Sequence, residues 1–181
     1  KHLVFKSKMS TENLFTTNCI RTNSGKYINV FDTNPEDINI EDIAHALSMI
    51  PRFGGHLPKF YSVGEHSLYV FRYVKKQYPN DYQLQLQALM HDATEAYLLD
   101  MPSPIKHRMP EYMAIENKLG AVIATKFGFE YPFHPVIKEA DRSLLQKEWD
   151  ALMLGKDENF KFQVYEAQEI KQTFINTYNH L

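Results

Sequence analysis

An adjacent His91–Asp92 pair, with His66 upstream, Asp141 downstream and Glu95 four positions beyond His91, is the part of this chain able to do chemistry. A neutral imidazole and a carboxylate side by side on a helix offer two ligands to a divalent cation from one rigid element. His66 and Asp141 would bring two more from other helices and close a site in a helical core. Each sits where an apolar residue is expected. Asp141 lies among Ile137, Ala140, Leu144 and Leu145. A lone carboxylate buried there costs several kcal/mol unless it is neutralised, paired or metal-bound. One such anomaly reads as a hydrogen-bonded core histidine or a salt bridge, for Asp141 with Arg142 or Lys138. Three on separate helices read better as ligands of one shared ion. Glu95, one turn from His91, faces the same cavity on this spacing and is placed to shuttle a proton.

The elements that must carry these residues follow from periodicity and punctuation. Cys19–Arg21 and residues 27–30 flank Thr22-Asn23-Ser24-Gly25-Lys26 and predict a small β-hairpin. Ile40, Ile43, Ala44, Leu47 and Ile50 recur at helical spacing behind an Asn39 cap, and Pro51 ends that helix. Ser62 and Glu65 match a capping box and open a second helix, with His66, Tyr69, Val70, Tyr73 and Val74 on one face. A third helix is predicted over residues 82–99, with Leu84, Ala88, His91, Glu95 and Leu98 on one face, stopped by Met101-Pro102-Ser103-Pro104. A fourth begins near Pro110 and leaves at Gly128. A fifth starts at Pro135, with Ile137, Ala140, Asp141, Leu144, Leu145 and Glu148 on its stripe. A sixth spans residues 164–178. The fold class expected is all-α, a helical bundle with a small N-terminal β-hairpin. Residues 1–16 read as an N-terminal extension, with Met9 a candidate true start and the eight residues before it an appended remnant. Residues 17–181 read as one domain.

The bulk numbers exclude other classes. The 181 residues carry a net charge of −2, with no basic stripe to meet nucleic acid. No apolar run approaches the length of a membrane span. A single cysteine, Cys19, forbids an internal disulfide and suits a reducing, cytoplasmic setting. The remaining histidines score low: His45 is off its stripe, His107 and His134 sit at helix edges, and His2 and His180 are terminal. His56, in the Gly-rich stretch before His66, is a candidate to face a ligand.

The spaced set resembles the HD-domain phosphohydrolase superfamily, whose pattern is a His, an adjacent His-Asp and a distant Asp around a divalent metal. The stretches that carry the resemblance are Gly64-Glu65-His66-Ser67, Met90-His91-Asp92-Ala93-Thr94-Glu95, Glu139-Ala140-Asp141, and Leu99-Asp100-Met101-Pro102-Ser103-Pro104-Ile105-Lys106. The last, with Ile50-Pro51-Arg52-Phe53-Gly54-Gly55-His56, is similar to small bacterial 5′-deoxynucleotidases and phage dATP triphosphohydrolases. The resemblance spans roughly residues 40–152. It implies His66, His91, Asp92 and Asp141 as ligands of Mn²⁺, Co²⁺, Zn²⁺, Fe²⁺, Ni²⁺ or Mg²⁺. It implies Glu95 as the catalytic group, Arg52 and Lys106 at phosphate, and Asp100 near the sugar. The bacterial nucleotidases place a Trp close to the phosphate-binding Arg, whereas Phe53 follows Arg52 here, and the one Trp is Trp149. The substrate expected is a small nucleotide, cleaved at its 5′-phosphate as a monophosphate or a triphosphate; Lys59, Lys106, His107 and Arg108 lean mildly toward polyphosphate. A homo-oligomer is expected, with no nucleic acid or membrane partner. The rivals are another HD chemistry, on cyclic nucleotides or guanosine tetraphosphate, and a helical binding module without catalysis.

Overall fold

The computed structural model describes residues 18–156 and 165–181. The predicted extension over residues 1–16, His2 and the first residue of the predicted sixth helix fall outside the described residues. The rest is a helical bundle with one two-stranded sheet. Strands β1 (Cys19–Arg21) and β2 (Tyr27–Asn29) pair antiparallel in the register Ile20 opposite Ile28. Gly25 turns the chain at φ 86°, a conformation that costs glycine no Cβ clash. The hairpin is pinned to the bundle through its turn: Ser24 N and Oγ donate to the Asp42 carboxylate at 2.8 and 2.6 Å.

Helix α1 (Ile40–Met49) starts where the Asn39 side chain accepts from Asp42 N, and it stops at Ile50 before Pro51. Helix α2 (Val63–Gln77) crosses close to it. A Cβ on Gly64 would lie 3.1 Å from the Leu47 carbonyl carbon, so any larger residue would have to push the two helices slightly apart. Then come α3 (Tyr82–Met90), short α4 (Glu95–Leu98) and α5 (Ser103–Lys106), long α6 (Pro110–Phe127), α7 (Pro135–Glu148) and α8 (Ala167–Asn179). The main core gathers Ile43, Leu47, Leu89, Leu119, Ile123 and Phe174 from α1, α3, α6 and α8. A second cluster (Val70, Val74, Leu84, Ala88, Ile137, Ala140 and Leu144) locks α2, α3 and α7 together. Those three elements bring in His66, His91 and Asp141, each within a turn of that cluster. Among the described residues no helix is long and apolar enough to cross a membrane.

Three local expectations are corrected. The helix predicted over residues 82–99 is broken: α3 ends at Met90, α4 begins at Glu95, and a turn carries His91 to Thr94. Its bonds are of the shorter kind, Ala93 N to Met90 O and Glu95 N to Asp92 O, both 2.9 Å. His91 Nδ1 donates to the Ala88 carbonyl at 2.9 Å, engaging an oxygen that a continuing helix would use for its ladder. The Ser62–Glu65 capping box forms in half, with Ser62 Oγ accepting from Glu65 N at 3.0 Å. Leu145, read as inward, is 39% exposed and turns toward a cleft.

Candidate metal centre

The centre is assembled by one chain crossing and two helix ends. Before α2 the backbone folds back on itself, Arg52 N donating to Tyr61 O (2.8 Å) and Val63 N to Ile50 O (3.0 Å). That bridge sets Arg52 beside the first turn of α2, where His66 lies. The tight turn Arg52–Gly55 holds Phe53, Gly54 and Gly55 at φ 55°, 60° and 78°. For Phe53 that left-handed backbone costs on the order of 1–2 kcal/mol, a strain of the kind that collects at working sites.

His66, His91 and Asp92 each offer one ligand atom within 4.8 Å of the others. The two Nε2 atoms are 3.3 Å apart, and Asp92 Oδ2 is 3.2 Å from His91 Nε2 and 3.8 Å from His66 Nε2. Asp141 borders the group, its Oδ1 3.0 Å from His66 Nε2 and 3.9 Å from His91 Nε2. Both rings are oriented from behind. His91 gives its Nδ1 proton to Ala88, and His66 donates from Nδ1 to Glu148 Oε1 at 2.6 Å. Each Nε2 therefore faces the group, the arrangement metal-bound histidines adopt.

The donors present fit a divalent cation. The two Nε2 atoms lie 3.3 Å apart with carboxylate oxygens of Asp92 and Asp141 beside them, a group that a shared positive charge, either a proton on His66 or a divalent cation, holds together. Asp92 Oδ2 is buried with no hydrogen-bond partner. Burial and Arg52 push a proton off His66, yet Glu148 and the hydrogen bonds to Asp141 and Glu148 raise it to about 9. A proton and a cation answer the same need there. Against the cost of burial, His91, His66 and Arg52 hold Asp92 well below the usual carboxylate range. Asp141 is also lowered: burial works against it, but the bond to His66 and the charge of His91 prevail.

Glu148 is a member of the site to which sequence reasoning gave no role. It is fully buried and accepts from His66 Nδ1, Tyr61 Oη (2.7 Å) and Arg52 Nη2 (3.1 Å). Despite its burial these partners keep it ionised, with its pKa lowered. The signal was present: Glu148 lies two turns from Asp141 on the same stripe and is the same kind of charge in an apolar register.

Above the group opens a cleft of about 1000 Å³. Arg52, Asp92, Glu95, Asp100, Lys106 and Asp141 line it, and so does His56. His66 and His91 lie beneath. Arg52 reaches both Glu148 and, at 3.8 Å, Asp92. Glu95 is buried, its Oε2 unpartnered; burial first, then Asp92 and Asp100, push its carboxyl well above the usual carboxylate range. Asp100 follows Leu99, whose φ of 68° and ψ of 161° suit glycine. Tyr112 Oη, donating to the Leu99 carbonyl at 3.1 Å, holds that strained link. Lys106 is not free as expected; its Nζ pairs with Glu116 at 2.5 Å and lies over the Tyr112 ring. Of the four cations read as a polyphosphate cluster, only Lys106 lines the cleft; Lys59, His107 and Arg108 do not, whereas Arg142 does.

A helical bundle with His66, His91 and Asp92 gathered at a cleft floor carries a generic HD-like metal-binding motif. No family model matches the chain. It is 39% identical over 155 residues to uncharacterized protein YfdR of Escherichia coli K12, an alignment covering 86% of this chain and 83% of that protein. It is also 36% identical over 126 residues to an uncharacterized protein of Rhodobacter capsulatus, covering 65% of this chain and 64% of that one. The chain belongs to the family that includes YfdR.

Proposed function

We propose that this chain is a divalent-metal-dependent phosphohydrolase that cleaves deoxynucleotides at the 5′-phosphate. The observation that carries the reading is the histidine–aspartate group opening onto a cleft that also presents a buried arginine and a buried glutamate. His66, His91, Asp92 and Asp141 would hold the cation, which when bound acidifies a coordinated water and polarises a phosphoryl oxygen. The borderline N/O donor set suits Mn²⁺, Co²⁺, Fe²⁺, Ni²⁺ or Zn²⁺, with Mg²⁺ the purely oxygen-seeking alternative.

The protein's own residues take the remaining tasks. Arg52, fixed by Glu148, holds a guanidinium in a low-dielectric corner where it offsets phosphate charge. Its Nε is buried and has no hydrogen-bond partner among the described residues. Breaking the P–O5′ bond leaves a 5′-oxygen that needs a proton, and Glu95, whose carboxyl is pushed upward by burial, is the group placed to supply it. Lys106 balances charge at the rim, with Glu116 and Tyr112 fixing its position. Asp100 accepts from a sugar hydroxyl.

Monophosphate would give nucleoside and phosphate; triphosphate would give nucleoside and triphosphate. Arg52, Lys106 and Arg142 line the cleft, and both outcomes stay open on that lining. Product analysis with dAMP and dATP side by side, in Mn²⁺ or Co²⁺, tests this. Free phosphate from dAMP marks a nucleotidase and intact triphosphate from dATP a triphosphohydrolase; no product from either would overturn the reading.

A further inference from the structure

The cleft over the metal group is lined by apolar side chains as well as charged ones. Trp149 is 42% exposed and Leu145 39%, and both line the cavity with Phe53 and Met153. A large aromatic left open to water inside a concavity is area that a ligand gains by covering.

Trp149 is placed there by the way α7 ends. Glu148 turns inward to His66 and Arg52, and with the next residue the helix widens into a π-helical turn, Trp149–Met153, closed by Leu154 N donating to Trp149 O at 3.0 Å. Such widened turns occur often at functional sites. Phe53 meets the indole with ring centroids 6.2 Å apart and planes tilted by 46°. At that separation the rings touch each other directly, so a third ring does not fit between them. Arg52 lies over Phe53, its guanidinium carbon 5.5 Å from the ring centroid. One strained turn thus carries both the cation facing phosphate and the ring bracing the indole.

Building on the nucleotide reading above, we propose that Trp149, braced by Phe53, is the base-stacking residue of the cleft. The planar base lies on the indole face away from Phe53 while the 5′-phosphate reaches Arg52. An aromatic platform accepts any base, since every base has a π face, so Trp149 selects nucleotides over bare sugar phosphates without choosing strongly among bases.

The chain's single tryptophan makes the test direct. Its fluorescence, excited beyond adenine absorption, is followed on adding 2′-deoxyadenosine, which bears the base and nothing to hydrolyse, or 2-deoxyribose 5-phosphate. A saturable change with the nucleoside and none with the sugar phosphate is expected. In kinetics, Trp149→Ala should lower the preference for dAMP over 2-deoxyribose 5-phosphate by roughly ten-fold or more. The loss should fall on KM rather than kcat, and Trp149→Phe should retain most of the preference. An unchanged preference in Trp149→Ala, or no response of the indole to the nucleoside, overturns the proposal. If neither ester is hydrolysed, the hydrolase reading fails, and the fluorescence titration still decides the base site.

Discussion

Asp42 and Asp92 are both poorly exposed aspartates in one small bundle, and they differ in what meets their oxygens. Asp42 accepts from Ser24 N, Ser24 Oγ and Asn39 Nδ2 at 2.8, 2.6 and 2.8 Å. Every donor is neutral and every bond short, so the charge is solvated by protein and its work is to tie the hairpin to α1. Asp92 has positive neighbours, Arg52 at 3.8 Å and a protonated His66, but its Oδ2 accepts no hydrogen bond. A folded chain tolerates such an atom only where something else completes it. The two sites show how a buried carboxylate that builds structure differs from one kept for a ligand.

That contrast breaks most visibly if Asp92 proves structural. Asp92→Ala should abolish metal content and lower phosphohydrolase activity on the order of a thousand-fold or more, with metal-free stability less affected than by Asp42→Ala. Elemental analysis, turnover with dAMP and thermal melts check this; a large drop in Tm with metal retained would reverse the assignment. Glu95→Gln should keep the metal and lose about 10²–10⁴-fold in turnover, and metal loss in that variant would contradict its role as proton donor. Glu148→Gln tests the support behind the group. With the orientation of His66 weakened, metal affinity should fall about 10–100-fold in a Co²⁺ or Zn²⁺ titration, and an unchanged affinity would reduce Glu148 to a partner of Arg52 alone.

The same contrast explains what was legible in the sequence. Apolar periodicity and the caps at Asn39, Ser62 and Pro135 marked the helices, because those signals are local. The hairpin was read nearly to the residue, because Asn23–Gly25 supplies its turn. His66, His91 and Asp141 stood out as polar residues on apolar stripes and Asp92 as the neighbour of His91, and the fold brings their side chains together. Glu148 carried the same signal and received no role, since its meaning depends on Tyr61 and Arg52, 87 and 96 positions away. The break between α3 and α4 was not visible either. Its residues form helix well enough, and the side chain of His91 ends the helix by engaging the Ala88 carbonyl. The pairing of Lys106 with Glu116 joins α5 to α6, a tertiary fact with no trace in local pattern. Where a residue's role is settled by its own segment the sequence speaks; where it is settled by a partner across the bundle it gives only an anomaly.

The smallest effect belongs to Asp42, and it separates stability from chemistry. Removing the carboxylate leaves Ser24 N, Ser24 Oγ and Asn39 Nδ2 without their acceptor and loosens the hairpin. Asp42→Ala should therefore cost about 2–3 kcal/mol in denaturant unfolding while turnover per folded molecule is unchanged. The pH dependence has a definite sign. Burial raises this carboxyl, but the bonds from Ser24, Thr22 and Asn39 win and hold it below its ordinary value of 3.8. A carboxyl lowered on folding contributes stability that is complete above its unfolded pKa and is lost as pH falls through the folded one. The gap in unfolding free energy between the wild type and Asp42→Asn should thus be constant from pH 7 to about pH 5 and shrink below about pH 4. A gap that instead widened on acidification would mean that Asp42 is protonated more readily in the fold than out of it, and that its hydrogen bonds do not solvate the charge.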